Sequence, residues 1–140
     1  MRNIRRPRAL ALALVCTVPL SMATLAADVN VMLSGDQETP PVSTPARGTG
    51  VFNFGNDGAV SGKVTTTGIT ATAAHIHEAP AGKAGGVIIP LVKDGDNTWA
   101  VPAGTKLSSA QEAAYKAGDL YVNVHSDAHK DGEIRGQIRP

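Results

Sequence analysis

From Asp28 onward the apolar residues fall in short runs that alternate with polar ones and stop at Gly, Pro, Asn or Asp. A period of two is the mark of strands with one buried face. "DVNVML" sets Val29, Val31 and Leu33 on one side. "GTGVFNF" and "AVSGKVTTTGI" follow as a pair joined through Gly55-Asn56-Asp57-Gly58, a sequence suited to a hairpin turn. "TAAHIHEA", "GGVIIPLV", "TWAV", "DLYVNVHS" and "GEIRGQIR" complete eight expected strands. Only "SSAQEAAYKAG" has helical character: Ser108 or Ser109 can cap it, and Gly118 can end it after about two and a half turns. "QETPPVSTPARGTG" carries three of the nine prolines; it is expected as an extended loop over one edge of the sheet. The pattern predicts an all-β fold, an antiparallel Greek-key β-sandwich with one short helix. No internal repeat and no low-complexity segment interrupts it.

Before Asp28 the pattern is different. Arg2, Arg5, Arg6 and Arg8 precede an apolar run from Ala9 to about Leu20, too short to cross a bilayer comfortably, and small residues follow. This reads as a secretory signal peptide over residues 1–26, with Thr24 and Ala26 as the small-x-small cleavage pattern. Cys16 is not expected to carry a lipid, because Val15 stands where a lipid-attachment site needs a small residue. The remaining 27–140 is one domain of 114 residues, periplasmic or secreted, with no membrane anchor. Removing the leader removes the only cysteine, so no internal disulfide can staple this domain. It also leaves nine basic against twelve acidic side chains, a net charge of −3. A mildly acidic domain without a basic cluster gives no reason to expect nucleic acid as a partner.

Alternation also sorts the polar side chains. His75 and His77 share one strand face, with Ala74 and Ile76 on the other. In "DLYVNVHS", Leu120, Val122 and Val124 point to the core while Tyr121, Asn123 and His125 point to the wet side. In "GEIRGQI", Ile134 and Ile138 point inward with Gly136 between them, and Glu133, Arg135 and Gln137 outward. Asp131-Gly132 suggests that the last two strands form a hairpin. If the "HIH" strand lies beside it, His75, His77, Tyr121, Asn123, His125, Glu133 and Arg135 form one patch.

The four histidines fall in two clusters, His75 with His77 and His125 with His129. Imidazole suits copper, zinc and nickel, and two from one strand face can reach a single ion. Three or four imidazoles without thiolate suit Cu(II) or Zn(II). The metal ligands expected are His75, His77 and His125, with His129, in the turn, as an optional fourth. The alternative is that these histidines are half-exposed residues of a polar face, or hold strands in register by bonding to Asn123 and Glu133. Arg135 and Glu133 are read first as an ion pair, Tyr121 as packing over a sheet edge, and Trp99 as core or an aromatic lid. Glu78 and Glu133 could in principle form a glycosidase-type carboxylate pair. There is no mature cysteine nucleophile, no Gly-x-Ser-x-Gly elbow and no phosphate-binding glycine loop, so no catalytic and no organic-cofactor residues are assigned.

"AAHIHEAPAGKAGGVIIPLV" followed by "AGDLYVNVHSDAHKDGEIRGQI" resembles the chordin-type CHRD domain. That family's pattern is a His-x-His with a Gly-rich turn, then Leu-Tyr-x-Asn-x-His and a closing Gly-Glu-Ile-Arg-Gly-Gln. The closing segment, Gly118 to Ile138, matches nearly residue for residue, and weaker motifs extend the resemblance from about Val29. A leader and a single domain are similar to the small exported bacterial members. A fainter similarity is to copper/zinc superoxide dismutase, whose His-x-His, third copper-binding His and nearby Arg have counterparts in type and order in His75, His77, His125 and Arg135. The chain lacks a His for the bridging position, a His-rich zinc loop and the structural disulfide.

Together these readings predict an exported domain that binds a transition-metal ion, copper first and zinc as the alternative, for binding or buffering rather than turnover. A second reading is a metal-independent adhesion or scaffold module whose polar face meets a protein partner, or a second copy in a homodimer. A third is a copper redox enzyme in which Arg135 draws in an anion.

Overall fold

The alternation becomes nine antiparallel strands in the computed structural model, which describes residues 26–140. The leader expected over residues 1–26 lies, as far as residue 25, outside the described residues. β1 (Asp28–Ser34), β2 (Arg47–Phe54) and β3 (Val60–Thr67) form a meander. β4 (Ala71–Glu78), β5 (Gly86–Pro90), β6 (Val92–Gly95) and β7 (Thr98–Ala100) follow. The helix α1 (Ser109–Ala117) leads into the last hairpin, β8 (Leu120–Ser126) and β9 (Ile134–Ile138). The strand order is β5-β4-β8-β9-β1-β2-β3-β7-β6. β8 returns to lie beside β4 and β9 beside β1, which are return connections of the Greek-key kind.

The run "GGVIIPLV", expected as one strand, is divided at Leu91, and this accounts for nine strands where eight are predicted. β5 pairs with β4 and β6 with β7, so the chain passes from one end of the strand order to the other at a single residue. Leu91 donates its N–H to Ala74 O at 2.9 Å and is itself buried. The sheet is thereby folded into a nearly closed sandwich, the bend carrying one strand between layers. At the other seam, β9 meets β1 at Ser34 and Arg135. A Cβ on Gly136 would stand 2.6 Å from Met32 O and from Val31 Cγ1. The missing side chain between Ile134 and Ile138 is what lets β1 come this close.

Inward side chains behave as read. Val31, Leu33, Phe52, Val64, Ile76, Leu120, Val122, Val124, Ile134 and Ile138 are all buried in one core, and Trp99 joins them. The helix is held by its ends. Ser108 and Gln111 make a reciprocal capping box, and Gly118 closes it in the left-handed conformation at φ 79°. Its Tyr115 stacks on Phe54 with ring centroids 4.0 Å apart.

The proline-rich segment departs from expectation. It lies over a face of the sheet, across β8 and β9, rather than over an edge. Glu38 accepts a hydrogen bond from Asn123 Nδ2, and Thr44 Oγ1 donates to Glu133 Oε1 at 2.6 Å. These polar side chains give the loop partners that an edge would not.

Candidate metal centre

β4, β8 and β9 lie side by side, so the seven polar residues read as one patch are neighbours. The patch is not wet. Every residue of β8 is buried, as are His77, Glu133 and Arg135, while His75 is half-buried. Two segments roof this face: the proline-rich strap over Asn123 and Glu133, and the β4–β5 loop over His77 and Arg135. Polar groups taken from water must find partners, and the bonds of this face show how each one does.

Register sets the three imidazoles. His75 stands opposite Asn123 and His77 opposite Tyr121, while His125 lies across from Ala73. His75 and His125 are therefore diagonal neighbours across two strands, close enough for long side chains to meet. Their rings are 4.8 Å apart by centroid, and His75 Nδ1 is 3.0 Å from His125 Nε2. His77 is 5.6 Å from His75 and 6.1 Å from His125 by the same measure. One nitrogen from each ring lies within 4.8 Å of the other two. On β5, the pairing steps from Ile76–Ile89 to His77–Val87, a bulge beside the site.

Backbone carbonyls orient two of the rings. His125 Nδ1 lies 2.8 Å from Lys130 O, and His77 Nδ1 lies 3.0 Å from Gly85 O. A carbonyl only accepts, so in both rings Nδ1 carries the hydrogen and Nε2 keeps the lone pair. This is the outer-shell arrangement that aims histidine at metals. His125 Nε2 accepts from His75 Nδ1–H. His77 Nε2 is buried with no partner. Burial, followed by the imidazoles of His125 and His77, holds the pKa of His75 below its ordinary value. Burial is also the main cause of the lowered pKa of His77; Gly85 O opposes it, and His125 and Arg135 add to it. Both rings are thus biased to the neutral, lone-pair-bearing form that a metal needs.

His129 is not brought into this group. It lies half-buried in the turn before β9, its backbone N–H donating to Ser126 Oγ at 3.2 Å. The expected Glu133–Arg135 ion pair is absent; among the described residues the only pair within 4.0 Å is Lys106–Asp57. Glu133 instead accepts from Ser126 Oγ at 2.5 Å as well as from Thr44. Burial raises its pKa, but these two hydroxyls and nearby His129 outweigh that and hold it below the usual carboxylate range. Arg135 donates to Lys83 O at 2.6 Å, Pro80 O at 3.1 Å and Gln137 Oε1 at 2.9 Å. Tyr121 is no edge cover. Its ring stands between His77, stacked at 4.8 Å, and Arg135, whose guanidinium carbon is 3.5 Å from the ring centroid. Glu78 is exposed and pairs toward Leu120, whereas Glu133 sits beyond Ile134 at the opposite end of the strands. They form no carboxylate pair.

Sequence reasoning misses the carbonyls of Lys130, Gly85, Lys83 and Pro80, since a backbone acceptor leaves no trace in residue type. It also misses Glu38, a buried carboxyl whose only signal is its place in the proline-rich loop. Burial raises its pKa to about 7, against the opposing effects of Asn123 and Arg135.

A family model described as the CHRD domain matches residues 29–138. No curated protein and no solved structure matches the chain. No helix among the described residues is long and apolar enough to cross a membrane.

Proposed function

The chain belongs to the CHRD domain family, and from that premise we propose that it is an exported metal-binding domain that holds one copper ion through His75, His77 and His125. One observation carries the reading: three imidazoles converge on one point, two of them aimed by carbonyls, and the buried Nε2 of His77 has no protein partner. An unpaired buried nitrogen is costly in a protein that binds nothing there. A coordinated ion removes that cost.

The donor set supports the choice of metal. Nitrogens about 2.0–2.1 Å from a tetrahedral ion sit about 3.3 Å from one another. The 3.0 Å between His75 Nδ1 and His125 Nε2 is near that value; on binding, the hydrogen between them would move to His75 Nε2, and the third nitrogen, within 4.8 Å of both, would close in. Three neutral imidazoles without a thiolate or carboxylate suit Cu(II), with Zn(II) as the alternative. When bound, such an ion would offer Lewis acidity and, if copper, one-electron chemistry. The protein supplies the orientation of the rings and a roof that limits water. The reading is one of binding or buffering, in the periplasm or outside the cell. The Tyr121 ring stands between Arg135 and His77, which favours binding over a redox role in which Arg135 draws in an anion.

The test is calorimetric titration of the metal-free protein with Cu(II) and Zn(II). Wild type should take up one ion per chain, and the His75→Ala, His77→Ala double variant should lose affinity by about 100-fold or more. His129→Ala should bind as wild type does. Equal weak uptake by wild type and the double variant would remove the metal reading and turn attention to protein partners.

A further inference from the structure

Beside the histidine cluster, and sharing no lining residue with it, a cavity of about 490 Å³ opens between the strap and the β4–β5 loop. Its floor is the outward face of β9 and the residue after it, with Arg135 and Arg139. Asp36 and Glu38 of the strap form the opposite wall, and Gly82 closes the loop side.

Arg135 is the unusual member. It is 2% exposed and makes no ion pair. A buried cation is ordinarily paired. Three of its five N–H donors are used, all on neutral oxygens. The Nε–H and one NH1 hydrogen are left over. The Tyr121 ring offsets part of the charge. Glu38 is near enough to feel Arg135 but not to pair with it, and burial keeps its carboxyl protonated up to about pH 7, so it supplies only a fraction of a counter-charge near neutrality. Arg139, exposed at the mouth, adds a second positive charge.

We propose that this cavity binds a small organic monocarboxylate, with Arg135 as its buried receptor and Arg139 at its entrance. A carboxylate oxygen can accept from one of the leftover N–H groups and supplies the counter-charge that Arg135 lacks. Asp36, exposed on the rim, repels a dianion such as phosphate, and the cavity volume leaves room for a short organic body beyond the carboxylate.

The experiment titrates the purified protein with lactate, following backbone amide NMR signals of Gly82 and Thr39, with lactamide and inorganic phosphate as comparators at constant ionic strength. Saturable shifts with lactate, near the ~1 mM range suited to so few contacts, and none with lactamide are expected. Arg139→Gln, an exposed change that leaves the fold alone, should weaken binding at least fivefold. Arg135→Lys, which keeps the charge and loses the planar guanidinium with its leftover donors, should weaken it further. The proposal is overturned if lactamide shifts the same signals, if phosphate binds more tightly than lactate, if Arg139→Gln binds unchanged, or if lactate produces no saturable shift. Since the histidines lie outside this cavity, failure here leaves the metal reading standing.

Discussion

At the scale of single residues, the polar face is a set of titratable groups forced to share a dry space. Glu38 shows the consequence for stability. Its carboxyl is raised from 4.5 to about 7 in the folded chain, so the folded form holds a proton that the unfolded form releases. That contribution is fully present below about pH 4.5 and is lost as pH rises through about 7. Allowing for partial solvent access, it amounts to on the order of 2 kcal/mol. Glu38→Gln keeps an oxygen to accept from Asn123 and cannot ionise. In urea unfolding with a chelator present, its stability relative to wild type should therefore rise by about 2 kcal/mol between pH 5 and pH 8; a flat difference would show that water reaches the carboxyl freely. The histidines have the opposite sign. Burial lowers the pKa of His75 and His77 from 6.5, so protons compete with metal for these two rings less than they would for ordinary histidines. Zinc affinity measured by calorimetry should fall as pH drops from 7.5, and less steeply than for a site built of ordinary histidines.

At the scale of elements, the strands are read from alternation, and the glycines mark where one element must approach another. Gly136 on β9 is the clearest case. Alanine there would press its Cβ against Met32 O and Val31 Cγ1, both at 2.6 Å, forcing open the seam between β9 and β1. Thermal unfolding of Gly136→Ala should show a loss of about 1–3 kcal/mol. The helix has a smaller dependence on one residue. Ser108→Ala removes half of the capping box with Gln111 and should cost about 1 kcal/mol, without touching metal uptake. In both elements the signal is local: a small residue between two inward isoleucines, and a serine three residues before a glutamine. The division of "GGVIIPLV" into β5 and β6 has no such mark, because the bend at Leu91 answers to the strands on either side of it.

For the whole molecule, the candidate metal centre ties together β4 and β8, strands that are adjacent in space and separated by 41 residues of chain between Glu78 and Leu120. A ligand held by both strands favours the folded chain alone. Saturating Cu(II) or Zn(II), at about 100 times the dissociation constant, should add about 2.7 kcal/mol, seen as a rise of several degrees in unfolding temperature. The His75→Ala, His77→Ala variant should show no such rise. A rise that survives in the variant would place the metal elsewhere on the chain.

The sequence by itself determined what short-range geometry controls: which residues alternate onto the same face, where Gly55–Gly58 turns the chain, and how Ser108 and Gly118 bound the helix. It placed His75 with His77 on one face and His125 on the outward side of another strand for that reason. The tertiary structure alone decided that these faces adjoin and that they are dry. Adjacency follows from strand register, and dryness from contacts such as Thr44 to Glu133, 89 residues apart, and Asn123 to Glu38, 85 residues apart. A period of two says which way a side chain points, but whether water or a loop meets it there depends on distant residues that no local pattern encodes.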